Sequence, residues 1–251
     1  MKTNYFLMTM TALVLFLSCK SGEKSADQAK CFLGMEYINY TVLEHCPDIL
    51  PGDVPSFALE FKFKTKDTVD VDNGFEHFRL PYSEPGDSCH YVIKGATQFG
   101  DMHFLLKGDS TILLYDSAWT QLNKASEFRR IDENLPWSFK HYLNECAITG
   151  TYNLIKEGAG KDHKVIFLRN GQVDGMKPYL AYEICFAGDC LGETSPPSNT
   201  IDFTDDKNNK TTFAFKIAPG RRTIQFFTIG DPSPDTKGER PIGPLAFEVK
   251  Q

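Results

Sequence analysis

The chain has 251 residues and a mass of 28.3 kDa, room for one large domain or two small ones. Hydrophobic residues make up 41% and charged residues 24%, which excludes a disordered chain and a multispan membrane protein. A formal net charge of −6 argues against nucleic acid as a partner, because phosphate neutralisation needs a basic face. Phe (20) and Tyr (10) far outnumber Trp (2), and 19 Gly with 14 Pro punctuate the whole length, the texture of short strands joined by turns. The first predicted element is a secretory signal over residues 1–18: Lys2, an apolar run from Phe6 to Leu17, then Ser18-Cys19. That run is shorter than the ~20 apolar residues of a transmembrane helix, and Thr9 and Thr11 interrupt it.

The stretch Leu15-Phe16-Leu17-Ser18-Cys19 resembles the lipobox of a bacterial lipoprotein precursor, with Phe16 where the usual pattern has Leu. The resemblance implies that Cys19 is lipidated and becomes the mature N-terminus; an ordinary signal peptide cleaved near Ser25-Ala26 is the alternative. Residues 19–30 are polar, with no apolar side chain larger than Ala after Cys19, and read as a flexible tether. By resemblance to lipoprotein sorting, Lys20 implies the outer membrane of a Gram-negative cell. Ser21-Gly22 separate Lys20 from Glu23, so the lysine-plus-acid surface-export signal of some Bacteroidota lipoproteins is incomplete. Loss of residues 1–18 removes Lys2 and no acid, so the mature chain is more acidic still, and the lipid is the expected membrane partner.

With Cys19 as the anchor, Cys31, Cys46, Cys89, Cys146, Cys185 and Cys190 remain, an even number for an oxidising compartment. Phe186-Ala187-Gly188-Asp189 reads as a hairpin loop that brings Cys185 to Cys190. Locality and elimination then pair Cys31 with Cys46 and Cys89 with Cys146. A metal site is not expected: no C-x-x-C or H-x-x-x-H spacing occurs, and in His45-Cys46 and Cys89-His90 a strand points the two side chains to opposite faces.

Residues 31–145 form the first expected domain. Glu36–Thr41 and Ser56–Lys64 read as strands, the latter alternating aromatic with charged residues in its second half. His90–Thr97, Met102–Lys107 and Ser110–Tyr115 continue an antiparallel meander through turns at Phe99-Gly100-Asp101 and Gly108-Asp109. Asp67, Asp70, Asp72 and Asn73-Gly74 miss the spacing of a calcium loop and read as an acidic exposed turn. Ser117–Glu145 lacks alternation, and a helix beginning near Asn134, with Pro136 in its first turn, is expected to link two β-rich halves.

Residues 146–251 form the second. Gly150–Leu154, Lys164–Leu168, Val173–Met176, Tyr179–Cys185, Thr200–Phe203, Thr211–Ile217, Arg222–Ile229 and Pro244–Val249 read as strands, with Thr223–Ile229 the most core-like. Asn170-Gly171 predicts a type I′ hairpin, Ala218-Pro219-Gly220-Arg221 turns another, and Gly230–Gly243 reads as an exposed loop. The Gly150-Thr151-Tyr152 entry and the Val165–Gly175 hairpin, followed by antiparallel strands, are similar to lipocalin-like lipoprotein domains. This loose resemblance, over residues 148–251, implies a small barrel that holds an apolar ligand and implies no catalytic residue. No long self-similarity links the halves.

The fold class expected is therefore mainly β: two antiparallel β-rich domains, sandwich or small barrel, joined by a short helical linker. No catalytic constellation stands out. Gly86-Asp87-Ser88 and Gly108-Asp109-Ser110 lack the glycines or buried strand of hydrolase nucleophiles, and no Gly-x-Ser-x-Gly elbow occurs. Gly158-Ala159-Gly160-Lys161 has Ile155 and Asp162 where a phosphate loop needs Gly and Ser or Thr, and reads as a turn. His45, His77, His90, His103, His141 and His163 are scattered and read as structural. Phe61, Phe63, Phe226 and Phe227 read as core; a sugar platform would draw on Trp119, Trp137, Tyr179 and Tyr182. Expected is a non-enzymatic binding module without cofactor, either a lipocalin-like carrier of a small apolar ligand or a protein-binding inhibitor or immunity-type lipoprotein. An empty apolar cavity of ~300 Å³ in the second half would mark the carrier, and a packed interior the protein binder.

Overall fold

A computed structural model of the chain describes residues 32, 34–44, 46, 58–74, 76–83, 90–97, 100–108, 110–115, 126–132, 138–155, 163–186, 194–221, 223–232 and 238–251. The first half is a closed barrel of β1 (Glu36–Asn39), β2 (Glu60–Lys62), β3 (Thr68–Asp72), β4 (His77–Ser83), β5 (His90–Thr97), β6 (Gly100–Lys107), β7 (Thr111–Tyr115) and β8 (Ser126–Ile131). Each strand pairs antiparallel with the next, and β8 returns to β1 with Asn39 opposite Phe128. β1 ends earlier than its sequence pattern suggests, because Asn39 caps a short helix, α1 (Tyr40–Glu44). Its Oδ1 accepts the Val42 N–H at 3.0 Å while its amide donates to the Ala58 carbonyl at 2.9 Å.

The acidic segment is a strand and not an exposed turn. In Thr68-Val69-Asp70-Val71-Asp72 the valines face the barrel interior and the aspartates its outer side, yet all four are buried. The expected irregular link likewise contains β8, whose Phe128 is fully buried and packs 4.6 Å from Phe61. Rings of Phe32, Tyr37, Phe61, Phe63, Tyr82, Tyr91, Phe104 and Phe128 fill the interior, with Phe32 stacked on Phe63 at 4.7 Å. The linking helix, α2, is described over Ser138–Ala147; Asn134 and Pro136, where its start is expected, lie outside the described residues.

The second half holds β9 (Gly150–Ile155), β10 (Lys164–Phe167), β11 (Val173–Asp174), β12 (Tyr179–Ile184), β13 (Thr194–Ser195), β14 (Asn199–Asp205), β15 (Lys210–Ile217), β16 (Thr223–Ile229) and β17 (Arg240–Lys250). The sheet order β11-β10-β9-β17-β16-β15-β14-β12 places nearly every strand beside its chain neighbours. A single bridge between Gln172 and Ala181 brings its two ends together, so the sheet nearly closes. β13 lies outside that path and pairs in parallel with β17 at Arg240 and Pro241. The segment expected as a loop up to Gly243 is therefore partly strand: Gly230 N–H donates to the Pro241 carbonyl at 2.9 Å, a bond proline can accept though not donate.

The hairpin at Asn170-Gly171 exists, but its turn is not type I′. Gly171 N–H donates to Leu168 O at 3.0 Å and Gly171 alone has positive φ (85°), a type I turn closed by a glycine bulge. A Cβ at Gly171 would lie 2.9 Å from the Tyr182 carbonyl, so that position needs glycine on two counts. Tyr152, Phe167, Tyr182, Phe203, Phe213, Phe226 and Phe247 converge inside, with Phe226 stacked on Phe247 at 4.5 Å. The same apolar cluster continues through Phe139 and Leu143 of α2 to Ile38, Val42 and Leu59 of the first barrel. Phe32–Gln251 accordingly forms one contact unit.

Candidate functional site

The antiparallel register of β1 to β4 writes two charged rows on the outer face of the first barrel. Glu36, Lys62, Asp70 and Arg79 lie opposite one another across successive strands, and Glu60, Asp72 and His77 form the next row. Lys62 sits between two acids, 2.5 Å from Glu60 and 3.5 Å from Glu36. Asp70 accepts from Arg79 at 2.7 Å and from Lys64 at 2.8 Å. Glu60 and Glu36 are covered by the first described residues of α2: the Phe139 N–H donates to Glu60 Oε2 at 3.0 Å, and Ser138 hydrogen-bonds Glu36. Glu60 thus satisfies one of the amides that a helix start leaves unpaired.

Environment separates the acids. Burial pushes Glu36 up to about 7, Ser138 opposing and Glu60 adding to the shift. Burial also raises Asp72, against the Gly74 N–H that donates to it at 2.6 Å. Asp70 goes the other way, drawn down to about 2 chiefly by Arg79, with Lys64 assisting.

At the end of the first row a cleft of about 470 Å³ opens between Gly34, Met35, Glu36, Lys62, Phe63, Lys64, Arg130, Ile131 and Asp132. Both charge signs line it together with Met35, Phe63 and Ile131, and its cations already have partners, Arg130 lying 3.3 Å from Asp132. Such a cleft can take a polar or zwitterionic group by exchanging internal ion pairs for external ones. A second cleft, about 290 Å³, lies between α2 and the second barrel, lined by Lys140, His141, Asn144, Asn170, Glu183, Phe186 and Thr204 among others. Lys140 pairs with Glu183 across it. Lys140 and Lys210 hold the Glu183 carboxyl below its usual range against the opposing effect of burial. Phe63 lines the first cleft and Tyr182 the second.

Cys46 is bonded to Cys146, with Cα atoms 6.0 Å apart. This overturns the local pairing of Cys31 with Cys46 and of Cys89 with Cys146. The sequence separation of 100 is closed by tertiary packing, α1 meeting α2, which no spacing rule reveals. Cys185 is also disulfide-bonded; its expected partner Cys190 lies outside the described residues, as do Cys19, Cys31 and Cys89. The glycine motifs at 86–88 and 158–161, Trp119, Trp137 and the tether also lie outside them.

Tyr179 and Tyr182 are not a sugar platform. Tyr182 is buried, its hydroxyl donating to the Leu168 carbonyl at 2.8 Å, and Tyr179 packs 5.2 Å from Phe203. Phe61, Phe63 and Phe226 are core as expected, whereas Phe227 points outward beneath Lys216, 5.6 Å from its ring. Two histidines expected to be scattered are brought together: His90 and His103 stack across β5 and β6. Their separation in sequence carries no signal, because cross-strand register brings them together. No helix among the described residues is long and apolar enough to cross a membrane. Comparison with protein-family models, curated proteins and solved structures finds no match.

Proposed function

We propose that the chain is a non-catalytic, lipid-anchored binding module of the outer membrane that engages its partner on its outer surface. The packed second barrel carries this reading. Phe167, Phe203, Phe226 and Phe247 occupy the volume in which a carrier of the same topology would hold an apolar ligand, with Phe203 and Phe226 only 5.6 Å apart. A protein partner, or a polar group presented by one, fits the charged cleft at Glu36, Lys62, Lys64 and Arg130 better than a lipid does. The ion pairs in both clefts suit recognition, since each charge is held in place and paired before a partner arrives.

The test is titration with an apolar fluorescent probe and a long-chain fatty acid as competitor. No saturable binding is expected; one-to-one binding displaced by the fatty acid would restore the carrier reading. Anchoring rests on the Leu15–Cys19 motif and is tested separately by palmitate labelling of the wild type and Cys19→Ala. Equal incorporation in the two would overturn it.

A further inference from the structure

We propose that His90 and His103 form a two-histidine chelate for a divalent transition-metal ion of the copper, nickel or zinc type. Val92 lies opposite His103 and His90 opposite Leu105, so the two histidines are diagonal neighbours on the outer face of the β5–β6 pair. Their rings are inclined by only 19°, with centroids 5.0 Å apart. His103 Nδ1 lies 3.0 Å from His90 Nε2.

That distance has two physical readings. Without metal it is a hydrogen bond between one protonated and one bare ring nitrogen. With metal it is a bite: nitrogens bound at about 2.0–2.1 Å, at angles between square and tetrahedral, stand about 2.9–3.4 Å apart. The bond and the chelate use the same two nitrogens. An ion replaces the bond once a tautomer shift leaves both nitrogens bare, and the strands need not move. Barrel closure holds β5 against β6, so the two ligands are organised in advance.

Nearby Asp101 is committed elsewhere, accepting from Lys94 Nζ at 2.7 Å and from the Gly95 N–H at 2.9 Å. No cluster of three or more ligating side chains occurs among the described residues, and within them His90 and His103 are the two protein ligands of the site. Imidazole pairs favour copper(II) over nickel(II) and zinc(II), and do not hold magnesium or calcium.

The experiment is equilibrium dialysis of the full chain, purified without a histidine tag, against copper(II) and nickel(II), with copper paramagnetic resonance to count bound nitrogens. One equivalent is expected, with a two-nitrogen copper spectrum. His90→Gln and His103→Gln should each weaken binding by at least about tenfold while keeping the fold by circular dichroism. His77→Gln and His141→Gln should leave it unchanged. Binding that survives both His90→Gln and His103→Gln, a spectrum without two nitrogens, or no binding by the folded wild type would overturn the proposal.

Discussion

The two barrels share a wiring plan and differ in what their walls carry. Each is a meander in which strands pair with their chain neighbours, and each is filled with aromatic rings. In the second barrel the outward charges meet water: Asp202, Glu183 and Lys210 form ion pairs with Lys210 57% exposed. In the first barrel the equivalent outward positions hold Glu36, Glu60, Asp70 and Asp72, all buried under α2 or under neighbouring long side chains. Topology and core composition can therefore repeat while the electrostatics of the wall diverge. Cover from a neighbouring element converts weak surface ion pairs into buried ones with strong environmental shifts.

The disulfide offers the sharpest way to break this comparison, because Cys46 and Cys146 tie the segment after α1 to the end of α2. Cys146→Ser should destabilise the protein by about 4–5 kcal/mol on the chain-entropy account of so long a loop. Chemical denaturation should then show two transitions where the wild type shows one; a single transition at an unchanged midpoint would mean that packing alone couples the halves. Non-reducing peptide mapping should also join Cys31 to Cys89 once Cys46–Cys146 and Cys185–Cys190 are assigned. Phe32, next to Cys31, and Tyr91, two residues past Cys89, meet edge to face at 4.8 Å. Recovery of a Cys31–Cys46 peptide would contradict this assignment.

Next in size is the core. Phe226→Ala removes a ring that contacts Phe167, Phe203, Phe215 and Phe247, and should cost about 3–5 kcal/mol by thermal or denaturant unfolding. Phe63→Ala in the first barrel should cost a similar amount if both interiors are equally packed. A loss below about 1 kcal/mol in either would reveal an interior that collapses or was never full.

The wall charges give smaller effects of opposite sign. Glu36 has its folded value raised from 4.5 to about 7, so its contribution is complete below pH 4.5 and is lost as pH rises through about 7. Glu36→Gln should therefore stabilise the protein by about 1–2 kcal/mol above neutral pH and flatten that decline. Asp70 is lowered from 3.8 to about 2, so its contribution is present above pH 3.8 and is lost as pH falls through about 2. Asp70→Asn should cost about 1 kcal/mol at neutral pH, a figure reduced because Arg79 and Lys64 are solvent-exposed. Denaturant midpoints measured across pH for both variants would show either opposing trends or a wall that is electrostatically inert.

Local chemistry made much of the fold legible. β5 spans the expected residues, and β15 begins one residue earlier than its pattern predicts, because apolar runs between turn residues mark strands without tertiary help. β3 and β4 carry little strand signal for a physical reason. Two aspartates in β3 and Pro81 in β4 look like loop residues, and only the facing Arg79, Lys64 and His77 make acids acceptable on a covered face. The charged cleft draws on β1, β2 and β8, which lie apart in sequence, whereas the histidine pair depends on the exact register of the neighbouring strands β5 and β6.

By itself the sequence determined the β class, the two β-rich halves, the helix between them, the lipobox-like motif and the aromatic interior, all of which follow from local periodicity, turn residues and composition. Tertiary structure decided that the first barrel closes, that Cys46 meets Cys146, that Asp70 and Asp72 are buried, and that His90 reaches His103. Each of these depends on strand register or on α2 packing, and contacts between distant segments leave no mark in the spacing of neighbouring residues.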